Sequence, residues 1–342
     1  MNKPTAKLLT RILACPSCGY AELEHLISRN EEAQAGVNRD LAGVLICAKC
    51  KRWYPIEGGI VRMLPDNLRS RESDVSFIDK NREVFGTKRS EQLRDMQQSW
   101  SYSEEDFNSL ISNHEVPMKT GGKNRIENLN HLFKFQEILR GVKAGGRGVC
   151  LEMGCGGGSH AAALIENLSE LDYVGIDISL VRLGETKERI GNRDNTLLIQ
   201  ATMDALPFRD ESFSAVYACS VLQYLDQPQD GIREARRVLK GGGLFTALDY
   251  NIKCYASALG LLKDSQKVDL DIDENMYEKM SFENLRRWMG DSGFSDFKIR
   301  YLLFLPGNLP LPAFVYRAIN GILERTPFIR RFSIMLVTSG LR

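Results

Sequence analysis

Four of the eight cysteines stand in two closely spaced pairs, Cys15-Pro-Ser-Cys18 and Cys47-Ala-Lys-Cys50. Two intervening residues let both thiolates of a pair reach one tetrahedral ion, and two such pairs supply all four ligands of a closed zinc site. In a reducing compartment, paired cysteines are more often metal ligands than disulfides. The spacing therefore predicts a structural Zn²⁺ site, with a disulfide or redox pair as the alternative.

A second set of chemistry-bearing residues begins with the stretch LEMGCGGGSH, residues 151–160, in which four of ten residues are glycine. An apolar segment precedes these glycines and a helix-favouring one, AAALIENL, follows them. A glycine turn between a strand and a helix leaves the backbone bare for a ligand to approach. Asp177 ends the next apolar segment, 23 residues after Gly154, where an acid can bind ribose hydroxyls. The pattern predicts a nucleotide site in a doubly wound sheet, with a nucleotide-free turn as the alternative.

The glycine spacing refines this prediction. The order GxGxG, with Glu152 two residues before the first glycine, resembles the first motif of class I S-adenosylmethionine-dependent methyltransferases. Residues 195–250 add DALPFRDESF and REARRVLKGGG, which resemble later motifs of the type 11 members of that family. The resemblance covers residues 125–250 and implies an α/β, Rossmann-like sheet with helices on both faces and S-adenosyl-L-methionine as cofactor. It implies cofactor contacts from Glu152, Gly154, Cys155, Gly156, Asp177, Ile178, Thr202, Met203, Asp204 and Cys219.

One position departs from the family pattern. Where relatives carry an acid that binds the adenine amino group, this chain has Thr202, and Asp204 follows two residues later. The adenine edge is therefore assigned to Thr202 and the Met203 backbone, with Asp204 as a second candidate.

The acceptor side has fewer signals. Tyr224, in SVLQYL, occupies the region where relatives line the acceptor pocket, and many relatives have histidine there. His131 lies in an amphipathic helix expected at residues 125–142, ahead of the first strand. Tyr224 and His131 are the candidate catalytic residues, and a solvent-exposed or structural histidine is the alternative for His131. The segment around Trp100, Tyr102 and His131 is expected to cover the acceptor pocket.

The paired cysteines belong to a further resemblance. Both pairs, together with the tail YPIEGGIVRMLP, resemble the zinc-ribbon module of the small activator subunit of tRNA and translation-factor methyltransferases. The match covers about 50 residues. The tail itself predicts a strand, a tight turn and a second strand.

Three parts follow from these signals: a zinc ribbon at 1–65, a charged linker and helical cap at 66–124, and a methyltransferase domain at 125–342. Within the last part, an insertion is expected at about 303–331, rich in proline, bulky apolar residues and arginine. It is interpreted as a helical insertion that packs on the sheet, with a surface for a lipid-linked or membrane-held substrate as the alternative.

Composition limits the function classes. The 342 residues include 45 basic and 44 acidic side chains, a net charge of +1, and 43% are hydrophobic. This balance does not favour nucleic acid as a partner, and the absence of a long apolar run or a secretory signal predicts a cytoplasmic protein without a transmembrane segment. The expected acceptor is a small or lipid-linked metabolite. The alternatives are an rRNA or tRNA base methyltransferase, a cofactor-binding partner protein without turnover, and a different use of the same cofactor such as cyclisation or aminocarboxypropyl transfer.

Overall fold

A computed structural model describes residues 4–27, 43–98, 100, 102, 129–254, 279–294, 296–305 and 309–342. The predicted α/β class is confirmed. The chain divides into two compact units, of which unit 1 comprises Met1–Pro117 with Gly154–Ser212 and unit 2 comprises Met118–Met153 with Phe213–Arg342. The end of the expected helical cap, residues 103–124, lies outside the described residues.

Unit 1 is built from two segments of the chain, and helices alternate with strands in the second one. Its first segment contains α1 (Pro4–Ile12), β1 (Leu23–Ile27), β2 (Gly43–Cys47), β3 (Trp53–Glu57), β4 (Ile60–Arg62), α2 (Arg71–Lys80), α3 (Arg82–Phe85) and α4 (Thr87–Gln97). Its second segment contains α6 (Ser159–Asn167), β6 (Asp172–Asp177), α7 (Leu180–Ile190) and β7 (Thr196–Gln200). The elements between the two segments, α5 and β5, belong to unit 2.

The strands of unit 1 are hydrogen-bonded in the order β1-β2-β3-β4-β7-β6. β1 to β4 pair antiparallel with one another, and the predicted tight turn joins β3 to β4 through Gly58 and Gly59, at φ values of 58° and 76°. This left-handed turn matches the twist of a two-stranded hairpin and favours glycine. β4 then pairs in parallel with β7, and β7 pairs in parallel with β6. The last strand of the ribbon, β4, thus belongs to the same sheet as β6, the strand that ends at Asp177.

An aromatic cluster packs the linker helices against the ribbon. Trp53 in β3 lies with its ring 5.3 Å from that of Trp100 and 6.0 Å from that of Phe77, and its indole N–H donates to the Leu93 carbonyl in α4. The buried Arg69 guanidinium lies 4.5 Å from the Trp100 ring and pairs with Asp74 at 2.8 Å. Trp100 is buried in the ribbon's core, where the aromatic faces stabilise the buried cation of Arg69. Its expected place over the acceptor pocket stays a prediction.

Unit 2 holds the remaining elements. They are α5 (Leu129–Ala144), β5 (Val149–Met153), β8 (Phe213–Cys219), α8 (Pro228–Val238), β9 (Leu239–Tyr250), α9 (Phe282–Asp291), β10 (Asp296–Leu302), α10 (Ala313–Arg325) and β11 (Met335–Leu341).

The strands of unit 2 are hydrogen-bonded in the order β5-β8-β9-β11-β10. β5, β8 and β9 are parallel, so their carboxyl ends share one edge, and β11 runs antiparallel between β9 and β10. α5 packs on one face, where Gly141 meets Thr246, and α8 packs on the other, where Gly231 lies near Met153. These are the predicted helices on both faces of the sheet.

The expected C-terminal insertion forms α10 and a short 3₁₀ turn, Ile329–Phe332, between β10 and β11. Among the residues that the structure describes, no helix is long and apolar enough to cross a membrane.

Candidate functional site

The four paired cysteines come together in unit 1. Their Sγ atoms all lie within 4.8 Å of one another, with 3.6 Å between Cys15 and Cys50 and 3.6 Å between Cys18 and Cys47. Four thiolates around one zinc ion, with Zn–S bonds of about 2.3 Å, stand about 3.8 Å apart at the edges of the tetrahedron. The thiols are not joined as disulfides. The donor set therefore fits a closed structural zinc site, as predicted.

The surroundings of the cluster also fit a buried metal. The Tyr54 hydroxyl lies 3.1 Å from Cys15 Sγ, and burial raises the pKa of the Cys15 thiol. Burial alone would also raise the pKa of Cys50, but the backbone and side chain of Arg52 outweigh it and lower that pKa to about 7. Arg52 is itself paired with Asp66 at 2.6 Å. Each thiol must lose its proton to ligate a dication, so zinc binding at this cluster would release protons.

The glycine turn connects β5 to α6 in the conformation that only glycine adopts easily. Gly154, Gly156 and Gly158 have φ values of 72°, 50° and 75°. A Cβ atom on Gly158 would lie 2.9 Å from the Thr186 backbone in α7, so this position requires glycine both for its conformation and for its space. Because these residues carry no side chains, a ligand can approach the backbone of the turn closely.

Asp177 holds the turn to the end of β6. Its Oδ2 accepts a hydrogen bond from the Gly156 amide at 2.8 Å, and its Oδ1 accepts one from the Ser179 amide at 3.0 Å. The Cys155 amide donates to the Ile176 carbonyl at 2.8 Å, which fixes the same turn through the backbone. These two bonds fix the orientation of the Asp177 carboxylate, whose oxygens are the type of acceptor that ribose hydroxyls require.

The predicted adenine side lies at the ends of β6 and β7 in unit 1. Ile178 is partly buried and packs against Leu64 and Leu68 from the segment that follows β4. The hydroxyl of Thr202 donates to the Asp204 carboxylate at 2.5 Å. Thr202 is buried, Met203 is partly buried and Asp204 is exposed. The hydrogen bond joins Thr202 and Asp204 into one polar pair. The assignment of these residues to adenine stays a prediction.

In unit 2, the sequence-predicted residues Glu152 and Cys219 lie at the carboxyl ends of β5 and β8. Glu152 is 2% exposed, and its strand partner in β8 is Tyr217. Burial raises the pKa of Cys219 to about 11, so its thiol remains protonated at neutral pH. Glu152 is thus the acidic group and Cys219 a neutral one at this edge.

Two buried charged residues of unit 2 were missed by the sequence analysis. Lys134 in α5 is 8% exposed, its Nζ lies 3.4 Å from the Ser220 hydroxyl, and it stands 4.9 Å from the centre of the Tyr250 ring. Asp249, at the end of β9, is fully buried. The sequence offers one signal for these two residues, a charged residue within an otherwise apolar strand or helix face.

Asp249 is the less satisfied of the two. Within the described residues, neither of its oxygens has a hydrogen bond of ordinary geometry. Burial raises its pKa to about 7, although the amides of Leu222 and Val221 and the charge of Lys134 lower it in part. A buried carboxyl that titrates near neutral pH is a group able to accept or hold a proton.

The two candidate catalytic residues also belong to unit 2. His131 is exposed in the first turn of α5, one turn before Lys134. Tyr224 is partly buried in the 3₁₀ turn Leu222–Tyr224 that follows β8. Beside it, Gln223 is 1% exposed, and its amide donates to the Ser220 carbonyl at 3.1 Å while its Oε1 has no hydrogen-bond partner among the described residues. The catalytic roles of His131 and Tyr224 stay predictions.

Comparison with known families agrees with both resemblances. Residues 151–247 match the methyltransferase domain family, and residues 6–59 match the Trm112p-like protein family. The first range contains the glycine turn and Asp177, and the second contains all four paired cysteines. The chain therefore carries a methyltransferase domain and a Trm112p-like domain.

Individual relatives are similar over shorter stretches. A malonyl-[acyl-carrier protein] O-methyltransferase of Marinomonas sp. (strain MWYL1) is 33% identical over 95 residues, which cover 28% of this chain and 35% of that protein. A demethylmenaquinone methyltransferase of Porphyromonas gingivalis is 31% identical over 134 residues, 36% of this chain and 55% of that protein. This chain thus spans about a third to about half of the length of these curated relatives.

Among solved structures, a methyltransferase from Thermotoga maritima, described as a possible histamine N-methyltransferase, is 22% identical. The similarity covers 62% of this chain and 91% of that chain, with a TM-score of 0.44.

Proposed function

We propose that this protein is an S-adenosylmethionine-dependent methyltransferase that acts on a small-molecule or lipid- or glycan-type metabolite. The observation that carries the proposal is the bond between Asp177 and the glycine turn. Asp177 accepts from the Gly156 amide at 2.8 Å within a domain that matches the methyltransferase family. An acid fixed at the end of the second strand of such a sheet is the group that binds ribose hydroxyls.

The residues present fit the cofactor. S-adenosylmethionine, when bound, supplies an electrophilic methyl group on a sulfonium that is its own leaving group. Asp177 would hold the ribose, and Ile178 offers an apolar surface to the adenine. Glu152 would hold the cationic amino group as a buried acid, and the pair Thr202–Asp204 would accept from the adenine amine. With these anchors, the chain's main contribution is to fix the position of the methyl group relative to the acceptor.

A proton acceptor is required when the acceptor atom carries a proton at neutral pH. Tyr224 and His131 are the residues we assign to contact with the acceptor. Asp249 adds a carboxyl whose pKa is raised to about 7 by burial, a value suited to accept a proton near neutral pH. The Gln223 amide and the Tyr224 phenol are suited to orient an acceptor, but neither group removes a proton near neutral pH.

Two features favour a metabolite over RNA. The net charge of +1 gives no excess of cations to neutralise a polyanion. The two relatives described above are named for acyl-carrier-protein and quinone substrates. The Trm112p-like domain supports the RNA alternative to the extent that this module resembles an activator of tRNA methyltransferases.

A labelled-methyl screen tests the proposal. The purified zinc-containing protein would be incubated with methyl-labelled S-adenosylmethionine and with an aqueous metabolite extract, a lipid extract or total RNA. We expect label in a metabolite or lipid fraction and calorimetric binding of the cofactor. RNA-dependent turnover, with RNA binding that weakens steeply between two salt concentrations, would replace the metabolite proposal by the RNA alternative. Absence of cofactor binding by folded protein would overturn the methyltransferase assignment itself.

A further inference from the structure

The C-terminal part of unit 2 exposes large apolar side chains to an unusual degree. Within the described residues, eight large hydrophobic side chains are exposed, and six of them lie between residues 309 and 332. We call these six the C-terminal apolar face: Leu309, Phe314, Ile322, Phe328, Ile329 and Phe332. Phe314 and Phe328 are 76% and 75% exposed. Such a concentration of apolar surface marks an interaction site rather than random exposure.

α10 is oriented with its apolar stripe outward. Its inner side is held by stacking of the Tyr316 ring on Phe133 and by hydrogen bonds. The Tyr316 hydroxyl donates to the Leu305 carbonyl at 2.5 Å, and the Asn320 side chain accepts from the Phe304 amide at 2.5 Å. Glu324, one turn further, accepts from the Leu303 amide at 3.2 Å. The unit thus anchors this helix by hydrogen bonds at every fourth residue. Phe314 and Ile322, on the opposite side, are not needed to hold it.

The turn that follows α10 presents Phe328 at a conformational cost. Its φ of 66° lies in the left-handed region that residues with side chains rarely adopt. The ring nevertheless points into solvent, and the Arg331 guanidinium lies 5.6 Å from its centre. Strain that gains no burial within the unit indicates that the ring is displayed for a contact outside it.

Charge identifies the kind of partner. Residues 309–332 contain four arginines, all exposed, and a single acid. The acid, Glu324, is taken up by the Leu303 amide on the inner side. Residues 309–332 therefore carry a net positive charge, while the whole chain has a net charge of only +1. Apolar side chains interspersed with arginines, on a helix too short to span a bilayer, are the pattern of an interfacial membrane contact.

We propose that the C-terminal apolar face docks on an anionic lipid bilayer. Phe314, Ile322 and Phe328 enter the boundary between headgroups and acyl chains. Arg317, Arg325, Arg330 and Arg331 contact the lipid phosphates. A bilayer explains both the lack of exposed acids within residues 309–332 and the dispersed, outward apolar side chains. The proposal stands on this surface alone and does not require the proposed methyl transfer.

Vesicle flotation of the full-length protein tests the proposal. The probes are phosphatidylcholine vesicles with and without about 30 mol% phosphatidylglycerol, at low and high salt. The variants are F314S/F328S and R330E/R331E, with R330K/R331K as the charge-preserving control and K240E as a control on an exposed residue of β9 in the same unit. Each arginine near an anionic surface contributes about a fivefold factor in partitioning, so R330E/R331E should lower binding at least about 25-fold.

We expect the wild-type protein, R330K/R331K and K240E to float with the anionic vesicles in a salt-sensitive manner, and F314S/F328S to lose most of that binding. Equal circular dichroism, zinc content and cofactor affinity would show that the variants are folded. No flotation of wild-type protein with anionic vesicles at low salt would overturn the proposal. So would undiminished binding of F314S/F328S, since the rings would then not enter the bilayer. A wild-type dimer that F314S/F328S dissociates, without lipid binding, would reassign the face to contact between copies.

Discussion

Val61 of β4 and Ile199 of β7 are paired neighbours in parallel strands, although 138 residues separate them. The pairing continues past β4, where the Met63 amide donates to the Gln200 carbonyl at 2.8 Å. β7 in turn pairs with β6 up to Asp177. The ribbon that carries the cysteines is therefore hydrogen-bonded, through one intervening strand, to the strand that carries the proposed ribose acid.

This continuity predicts that loss of zinc affects the cofactor site. In Cys47→Ser, we expect less than one zinc per chain and unfolding of the ribbon, since a small metal domain depends on its ion for folding. The melting temperature should fall by about 5 °C or more, and affinity for S-adenosylmethionine should fall with it. Cys254→Ala removes a buried cysteine from unit 2 and serves as the control. Elemental analysis, thermal melts and calorimetry make the measurement, and a zinc-free variant with wild-type stability would contradict it.

Asp177→Asn probes the proposed ribose contact. Asparagine keeps one oxygen for the turn but loses the charge, so a hydrogen bond to a charged acceptor worth about 1.5–3 kcal/mol is lost. We expect S-adenosylmethionine to bind about 10- to 100-fold more weakly by calorimetry. Asp172→Asn, at the other end of the same strand and in a surface pair with Arg11 at 3.5 Å, should bind normally. Unchanged affinity in folded Asp177→Asn would place the ribose elsewhere.

Two glycine-to-alanine substitutions, one in the turn and one in the helix that the turn packs against, test the conformation of the turn. In Gly158→Ala, the new Cβ would stand 2.9 Å from Thr186 at a φ of 75°, so we expect a loss of about 2 kcal/mol or more in stability together with weaker cofactor binding. Gly184→Ala, in α7, meets nothing within 4 Å and should stabilise by about 0.5–1 kcal/mol. Denaturant titration of both variants gives the comparison, and equal stabilities would refute the steric argument.

Much of the methyltransferase core could be predicted because its signals are local. The glycine turn, the strand before it and the helix that starts at Ser159 follow from adjacent residues, and the structure has them at the predicted places. The cysteine cluster was equally predictable, since ligand spacing is written in the sequence. The pairing of β4 with β7 was not, because an apolar strand pattern does not specify which distant strand edge it will join.

The buried charged residues could not be predicted from the sequence either. Arg69 lies against Trp100 in the ribbon's core, and no spacing rule indicates that a linker arginine will be buried beside Asp74. Lys134 stands among apolar residues of α5 and was passed over for the exposed His131. Such burial depends on tertiary partners that lie far apart in the chain, so local patterns contain no sign of it.

Asp249→Asn tests whether this buried carboxyl is kept for function. Burial raises the pKa of Asp249 to about 7 from an ordinary value of 3.8 in the unfolded chain. Between these values the folded protein binds more protons than the unfolded chain, so the contribution of Asp249 to stability is present at acidic pH and is lost as pH rises through that window. The loss approaches about 1.4 kcal/mol per pH unit for a single group.

Asparagine cannot ionise, so we expect Asp249→Asn to be more stable than wild type at pH 8, to match it more closely at pH 4.5, and to have a flatter profile between them. The exposed Asp291→Asn controls for a general effect of removing an acid. Denaturant titrations at the two pH values give the difference, and methyl transfer measured on the same samples gives the functional consequence. A stabilised variant that binds cofactor but transfers methyl groups more slowly would mean that Asp249 serves the acceptor. An identical pH slope in variant and wild type would mean that Asp249 does not titrate in this range, and would remove it from the candidate site.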